Sequence, residues 1–411
     1  MPKIKAFRGI SPHPDYVKQV VLAVDNLSIE NAKIIREKNP HSYVNMLVPR
    51  LENKYLRGSK RELAYKKINE NFEEFLDTGI LIRDSEPMLY IYQVRRRGMI
   101  QTGIWVVTSI DDYLNNTVRK HELTRADREN DLIDYLQQTG MDANPVLITY
   151  PPVKSIDLLI ESIITLSPSL HFKTQEAEHL LWKINSEPII NKLINAFAAL
   201  PVSYIADGHH RAAAASLLGI ERRRLNLKHI GTEEYNFFNS VYMATDQLQI
   251  FEFNRLVKDT GLYGKEEFLL LVAENFEVCG SDQVVKPSGL HQFGMYLEHS
   301  WYRLTALKHT CCSSSPVADL DVSILQDFLF NPILKISEPR TDKRMTFLGG
   351  TVAIEEIVDL VNKGDYAIAF ILYPTSIQQL ISVADAGEVM PPKSTWFEPK
   401  FQSGLVIHQI N

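Results

Sequence analysis

The chain is poor in cysteine and lacks long hydrophobic runs. Three of its 411 residues are cysteines, and the adjacent pair Cys311 and Cys312 suits neither a disulfide framework nor the ligand spacing of a metal site. The longest apolar runs, such as residues 367–373, are far too short to cross a bilayer. Together with a first segment that lacks a signal-peptide core, these absences predict a soluble protein of a reducing, cytoplasmic compartment without a membrane partner.

An excess of one sign of charge is also missing. Lys and Arg together number 44 and Asp and Glu 50, so the formal net charge is −6. A weakly acidic chain offers no broad basic surface for nucleic acid, which we therefore expect as a partner only where a local basic patch exists. The composition, 45% hydrophobic and 23% charged, is typical of a globular protein. The composition does not indicate an oligomeric state.

Strands and helices are mixed along the chain without strict alternation, which predicts the α+β fold class. A change of composition near Lys258 predicts a first domain over residues 1–257 and an additional C-terminal α+β region over 258–411. That region either packs over the site described below or leaves it open. Among single elements, residues 43–48 and 248–253 are predicted as strands, and residues 390–400 as irregular structure.

Residues 201–219 join a strand to a helix through a polar turn. Residues 202–206 are predicted as a buried strand, and residues 212–218 as a helix that Gly219 ends as a C-cap. The turn between them is Asp207-Gly208-His209-His210-Arg211. Because a helix start carries free N–H groups and partial positive charge, this turn predicts a phosphate or carboxylate site.

Each residue of this turn offers chemistry that phosphoryl transfer uses. Arg211 can hold two phosphate oxygens, and His209 and His210 can donate hydrogen bonds or move protons near neutral pH. Asp207 can hold Mg²⁺ or activate a hydroxyl, and Gly208 allows close approach of the backbone to a ligand. The alternative interpretation is a helix cap and salt-bridge anchor without a ligand.

A second polar segment, residues 112–131, carries further candidates. His121 and Glu122 precede Thr124, a predicted cap for a helix that starts at Arg125. We predict Glu122 as an additional catalytic group and the side chains of Lys120, His121 and Arg125 as ligand-binding groups, provided that the fold brings the two segments together. A solvated surface helix is the alternative.

Several long phrases occur in order along the chain: KHELTR at 120–125, DGHHR at 207–211, HQFGMYLEHSWYRL at 291–304, LDVSILQ at 320–326, PRTDKR at 339–344 and YPTSIQQLISVADAGEVMPPKSTWFEPK at 373–400. Together they resemble the bacterial domain-of-unknown-function 1015 family. The DGHHR turn is also similar to the signature of the ParB/sulfiredoxin-like superfamily. Within that superfamily the free serine kinases are most similar, and they hold phosphates with such a turn.

The resemblance implies a ParB/sulfiredoxin-like mixed α/β core and a phosphate- or nucleotide-binding function. The first interpretation is a kinase or phosphatase that transfers a phosphoryl group to a ligand such as serine, or hydrolyses that of phosphoserine or of a nucleotide-like ligand, with ATP, ADP or CTP and Mg²⁺ as cofactors. A ParB-like regulator that binds DNA or CTP is one alternative, and a non-catalytic ligand-binding scaffold is another. The scaffold is favoured slightly, because a turn that members of the family carry near the N-terminus is altered here. The family's turn resembles Pro-Tyr-Asp-Val, whereas this chain has Ala23-Val24-Asp25-Asn26, with Asp25 at the acidic position.

Overall fold

The computed structural model describes residues 1–24, 27–47, 59–311 and 313–411, and in it the chain divides into two compact units. The first unit comprises Met1–Leu248 and Pro399–Asn411, and the second comprises Gln249–Glu398. This division differs from the expected one after residue 257 in two respects. Residues 249–257 belong to the second unit, and the last residues return to the first, because their backbones pair with strands distant in sequence.

The strands, in chain order, are β1 (Ile4–Lys5), β2 (Ile10–Pro12), β3 (Leu81–Arg83), β4 (Leu89–Arg96), β5 (Met99–Ser109), β6 (Val118–Arg119), β7 (Met141–Asp142), β8 (Val146–Tyr150), β9 (Leu170–Lys173), β10 (Glu178–Ile184), β11 (Ser203–Asp207), β12 (Phe237–Ala244), β13 (Gln249–Phe251), β14 (Phe253–Val257), β15 (Phe276–Ser281), β16 (Gln292–Leu297), β17 (Ser300–Ala306), β18 (Met345–Gly349), β19 (Ile368–Ile371), β20 (Trp396–Glu398) and β21 (His408–Gln409).

The helices are α1 (Val17–Val20), α2 (Ile29–Lys38), α3 (Ser59–Asp77), α4 (Ile110–Leu114), α5 (Ala126–Thr139), α6 (Lys154–Ile164), α7 (Glu187–Ala198), α8 (His209–Leu225), α9 (Lys265–Ala273), α10 (Asp321–Leu325), α11 (Ile354–Asn362) and α12 (Ile377–Asp385). A π-helical turn, Gln326–Phe330, extends α10. The mixture of helices with largely antiparallel sheets confirms the predicted α+β class. In the described part of the chain, no helix combines the length and apolarity that crossing a membrane requires.

The main sheet of the first unit has the strand order β6-β11-β8-β12-β5-β4-β10-β9, with β1 added to β5. Its central strands are mostly apolar, and all eight residues of β12, FFNSVYMA, are buried. Apolar residues of α6, α7 and α8 join these strands in one core. The sheet therefore holds the carboxyl end of β11, and with it the start of α8, in a fixed position.

A second core of the first unit forms around α3, whose Ile68, Phe72 and Phe75 lie on one face, as the helical spacing predicts. The C-terminal segment adds Ile407 to this core. The predicted strand over residues 43–48 is wrong: Tyr43–Met46 form a 3₁₀ turn with Ser42 as its cap, and Val48 lies outside the described residues. An apolar run of this length buries itself equally well in a turn, so its composition did not distinguish the two.

The second unit is built on a sheet of order β15-β17-β16-β19-β14-β18, with α11 packed against it. The expected strand over residues 248–253 is interrupted at Glu252, which separates β13 from β14. The expected irregular stretch 390–400 contains a short strand, β20, because its residues pair with β13. Both differences arise from pairing between segments that lie far apart in sequence.

The prediction that Gly219 ends the central helix is wrong, since α8 continues to Leu225. Gly219 lies buried inside the helix. A Cβ atom there would approach the Tyr235 carbonyl oxygen to 2.6 Å and would also collide with the Ile110 side chain. Glycine is thus required by the close approach of α4 and the 234–236 turn, and its helix-breaking tendency of about 1 kcal/mol is overridden by tertiary packing.

Replacing Gly219 by Ala is expected to lower the free energy of unfolding by about 1–3 kcal/mol, because a backbone oxygen must move to accommodate the methyl group. Urea unfolding followed by circular dichroism measures the change. Glu221→Ala, at an exposed position of the same helix, is the control and should stay within about 0.5 kcal/mol of the native chain. A Gly219→Ala protein as stable as the native one would contradict the packing argument.

Candidate functional site

The site begins where β11 passes directly into α8. Asp207 is the last residue of the strand, and Gly208 alone separates it from the helix, which starts at His209. Gly208 has a φ of +98°, which L-residues with side chains avoid, and a Cβ atom there would approach the Arg211 guanidinium to 2.9 Å. The expected polar turn is therefore one glycine long, and His209, His210 and Arg211 belong to the first turn of α8.

Asp207 is held by cations from two parts of the chain. Its Oδ2 accepts a hydrogen bond of 3.0 Å from Lys400 Nζ, and Arg211 Nη2 lies 3.5 Å from the same oxygen. Burial by itself would raise the pKa of this carboxyl, but the charges of Lys400 and Arg211 outweigh that effect and hold the pKa well below its usual range. Asp207 is thus ionised throughout the neutral range.

The guanidinium of Arg211 is fixed by the segment before β8. Its Nη1 donates to Asn144 Oδ1 at 2.9 Å and to the Pro145 carbonyl oxygen. The side chain is mostly buried, so these bonds replace water and restrict the group to one orientation. Arg211 therefore anchors the segment before β8 and still directs Nη2 toward Asp207.

The sequence interpretation missed Lys400. Lys400 is the last residue of the sequence WFEPK, which lies in the stretch predicted as irregular structure. Its partner Asp207 is 193 residues earlier in the chain. A lone lysine in such a segment gives no signal of its own, and only the return of Pro399–Asn411 to the first unit places it at the site.

Two histidines join the DGHHR turn to the KHELTR segment. His209 Nε2 lies 3.4 Å from the backbone nitrogen of His121, and His210 Nε2 accepts a hydrogen bond of 3.1 Å from the backbone N–H of Arg125. Both ring nitrogens act as acceptors, since a backbone N–H can only donate. The fold thus brings the two predicted segments together, and the histidines hold the loop before α5 against the start of α8.

The same contact sets the tautomer of His209. With Nε2 as the acceptor, the neutral ring carries its proton on Nδ1, which lies 3.6 Å from Glu122 Oε2. Burial lowers the pKa of His209 well below its usual value, and the neighbouring His121 lowers it further. His209 is therefore neutral at pH 7 and orients its N–H toward Glu122.

His121 packs its ring against the edge of His209, with the centroids 4.4 Å apart and the planes at 81°. The side chain is 3% exposed, and burial lowers its pKa to about 4 although the charge of Asp207 opposes the shift. Within the described residues, its Nδ1 has no hydrogen-bond partner. A buried, unsatisfied nitrogen costs free energy unless a ligand or water supplies a partner.

The side chains of Lys120 and Arg125 bind neighbours in the chain. Lys120 Nζ lies 4.2 Å from the ring centroid of Tyr113 and donates to the Tyr113 carbonyl oxygen. The Arg125 guanidinium forms two hydrogen bonds with Asp127, while only its backbone N–H contacts His210. Asp25 lies outside the described residues.

A cavity of about 390 Å³ borders the site on the side of Arg211. Much of its wall is apolar, formed by leucine, methionine, valine and alanine side chains. Its polar lining consists of Tyr43, Asp131, Tyr135, Asp142, Asn144, Arg211 and Ser403. The volume is in the range of small-molecule sites, which combine an apolar wall with a few directed polar groups.

A metal at Asp207 would depend on the ligand for most of its coordination. The described residues contain no group of three His, Cys, Asp or Glu side chains arranged to hold a metal ion. Asp207 Oδ2 already accepts the Lys400 ammonium. Since Mg²⁺ is commonly held by one or two carboxylates together with substrate phosphates and waters, Asp207 fits it only as a single ligand beside a bound phosphate.

Loss of the His210 ring should release one end of the loop before α5. In His210→Ala we expect the amide of Arg125 to exchange with deuterium faster, while the amide of His121, held by His209, keeps its protection. Hydrogen exchange read at single residues measures both. His171→Ala removes a histidine from the exposed edge of β9 and is the control. Unchanged protection of Arg125 would refute the proposed role of His210 in holding the loop.

Asp142 makes the stability of the first unit depend on pH. Burial raises the pKa of Asp142 to about 6, although the Asn239 backbone N–H and the charges of His408 and Arg211 lower it. Because the folded pKa exceeds the unfolded value of about 3.9, the free energy of unfolding falls as the pH rises from about 4 to about 6, and it stays at the lower value above that range.

Asp142→Asn keeps an acceptor for the Asn239 N–H and cannot ionise. Its free energy of unfolding, relative to that of the native chain, should therefore increase from about pH 4 to pH 7 and then level off. Urea titrations at each pH measure the difference, and circular dichroism checks that both proteins start folded. A difference that does not vary with pH would contradict the assigned shift.

Comparison with solved structures found chains of low similarity. A free serine kinase in complex with AMP is 13% identical, with a TM-score of 0.38, over 73% of this chain and 88% of that one. A conserved hypothetical protein from Pyrococcus furiosus is 13% identical, with a TM-score of 0.35, over 73% and 91%. SbnI with a C-terminal truncation, from Staphylococcus aureus, is 11% identical, with a TM-score of 0.34, over 72% and 82%. TM-scores this low do not establish a shared fold.

A search of curated proteins found no match. The family model described as protein of unknown function (DUF1015) matches residues 4–323, which include the KHELTR segment, β11 and the start of α8. The match spans more than half of the chain and agrees with the resemblance of its sequence phrases. The chain belongs to the DUF1015 family.

Proposed function

We propose that the chain binds a small phosphate-bearing molecule at the start of α8. The observation that carries this proposal is the convergence of Lys400 and Arg211 on Asp207, two residues before the first residue of the helix. These three side chains sum to one positive charge. This charge lies beside the N–H groups of the first turn of α8. A phosphate bound there would neutralise the charge and also accept hydrogen bonds from the N–H groups.

The geometry supports binding with little reorganisation. Arg211 is already held in one orientation by Asn144 and Pro145, so few degrees of freedom are lost when its remaining N–H groups meet an anion. His121 adds a buried ring nitrogen whose partner is missing in the described residues. A ligand that satisfies this nitrogen gains a hydrogen bond and removes an existing cost.

We further propose phosphoryl transfer as the reaction, with a nucleotide as the donor. The support is the similarity of the DGHHR turn to that of the free serine kinases, together with Glu122 beside the site. Glu122 is partly exposed, and the Nδ1–H of His209 faces it, so its carboxylate is positioned to accept the proton of an attacking hydroxyl. Release of ADP from ATP in the presence of serine and Mg²⁺, abolished in Glu122→Gln, is the expected outcome.

The non-catalytic scaffold is the second candidate, and one observation favours it. His209 and His210 both direct Nε2 to backbone nitrogens, so these atoms do not act as proton carriers while the loop is in place. Under this interpretation the same cations bind the phosphate, and no turnover follows. Ligand binding without release of product would decide for the scaffold.

Removing the charge of Arg211 tests the binding site directly. Thermal shifts with ATP, ADP, CTP, phosphoserine and inorganic phosphate, with and without Mg²⁺, should identify a ligand that raises the melting temperature of the native chain. In Arg211→Gln we expect the affinity for that ligand to fall about tenfold to a hundredfold, because charge-assisted hydrogen bonds are lost.

Arg223→Gln is the matched control. Arg223 lies on the same helix and pairs with Asp111, so its loss removes an equal charge away from the start of α8. Its ligand affinity should stay that of the native chain. The phosphate site would be refuted if no phosphate ligand stabilised a well-folded native protein, or if both variants lost affinity equally.

A further inference from the structure

The C-terminal segment Pro399–Asn411 is built into the first unit by backbone hydrogen bonds. Ser403 exchanges two of them with Leu22, Ile407 exchanges two with Ile10, and β21 pairs with β7. Phe401 packs against the rings of Tyr92 and Trp105. The backbone pairing therefore fixes where the side chains of this segment begin, and the ring contacts fix Phe401.

Two of these side chains reach the site from positions three residues apart. Lys400 binds Asp207 at the start of α8, and Ser403 lines the 390 Å³ cavity that Arg211 also borders. Arg211 thus belongs both to the ion cluster at Asp207, which contains Lys400, and to the lining of the cavity, which contains Ser403. Both residues lie beyond the family match, which ends at residue 323.

The hydroxyl of Ser403 is an unpaired polar group in a buried place. The residue is 1% exposed, and within the described part of the chain its Oγ has no hydrogen-bond partner. An unsatisfied buried hydroxyl costs about 1–3 kcal/mol, so the fold alone gives no reason for a serine there. A group on a molecule occupying the cavity would supply the missing partner.

The lining of the cavity also indicates the chemical class of the ligand. Inorganic phosphate satisfies the cations at the start of α8 but leaves the apolar wall uncovered. A ligand with an organic part covers the wall and presents hydrogen-bonding groups to Ser403, Asn144 and Asp142. The chemistry required is a phosphate ester whose compact organic part is partly apolar and partly hydrogen-bonding, as a nucleoside is.

We propose that Lys400 and Ser403 are ligand-binding residues: Lys400 contacts the phosphate together with Arg211, and Ser403 donates a hydrogen bond to the organic part in the cavity. This inference rests on the proposed phosphate site and adds to it the class of ligand and the contribution of the C-terminal segment. It requires no chemical step, and it holds for an enzyme and for a non-catalytic binding protein.

Calorimetric titration of the full chain with AMP and with inorganic phosphate separates the two roles. The native chain should bind AMP at least tenfold more tightly than phosphate. Ser403→Ala should weaken AMP binding about fivefold, the equivalent of one net hydrogen bond, and leave phosphate binding unchanged. Lys400→Met, which keeps the aliphatic stem, should weaken both ligands about tenfold.

The melting temperatures without ligand distinguish binding from a structural role. Deleting an unsatisfied hydroxyl should leave the melting temperature of Ser403→Ala unchanged or raised. Ser323→Ala is the control: Ser323 is a buried serine of the second unit whose Oγ likewise has no partner in the described residues, and its loss should change neither ligand affinity.

Each failure has a separate meaning. If the native chain binds phosphate and Arg211→Gln abolishes it, but AMP binds no tighter or Ser403→Ala binds AMP as well as the native chain, the inference is overturned and the phosphate site stands. If the native chain binds neither AMP nor phosphate, the proposed phosphate site and the inference both fail. A loss of AMP binding in Ser323→Ala as large as that in Ser403→Ala would also overturn the inference.

Discussion

The ion cluster at Asp207 is the interaction on which the candidate site depends. Its carboxylate receives Lys400 from the C-terminal segment and faces Arg211 from α8, and Arg211 in turn holds the segment before β8. Separate stretches of chain therefore meet at one side chain. A partly buried carboxylate benefits from such partners, because they offset the cost of removing part of its hydration.

The histidines beside this cluster contribute geometry and not charge. His209 is buried among groups that hold it neutral, and its Nε2 faces a backbone nitrogen, which leaves Nδ1–H directed at Glu122. In a helix start already rich in cations, a neutral ring avoids repulsion with Arg211. The pair of histidines thereby links the loop before α5 to α8 and determines where Glu122 lies.

Two buried polar atoms without partners among the described residues lie near the candidate site. The Nδ1 of His121 belongs to the ring that packs against His209, and the Oγ of Ser403 belongs to a residue that lines the cavity together with Arg211. Folding alone would favour apolar groups at such positions. A phosphate ester that satisfies these atoms accounts for both and for the apolar wall of the cavity.

Local patterns of residue types were enough to predict the elements that carry the candidate site. Apolar and helix-forming residues located β11 and the helix α8 that follows it, and charged residues at a helix start predicted an anion site, because these signals lie within a few residues of one another. The tertiary structure decided what depends on distant contacts. Gly219 is helical because Tyr235 and Ile110 approach it, Tyr43 lies in a turn, and Lys400 reaches Asp207 only through the pairing of the last residues with the first unit. Lys400 and Asp207 are 193 positions apart, and no local pattern of residue types records such a contact.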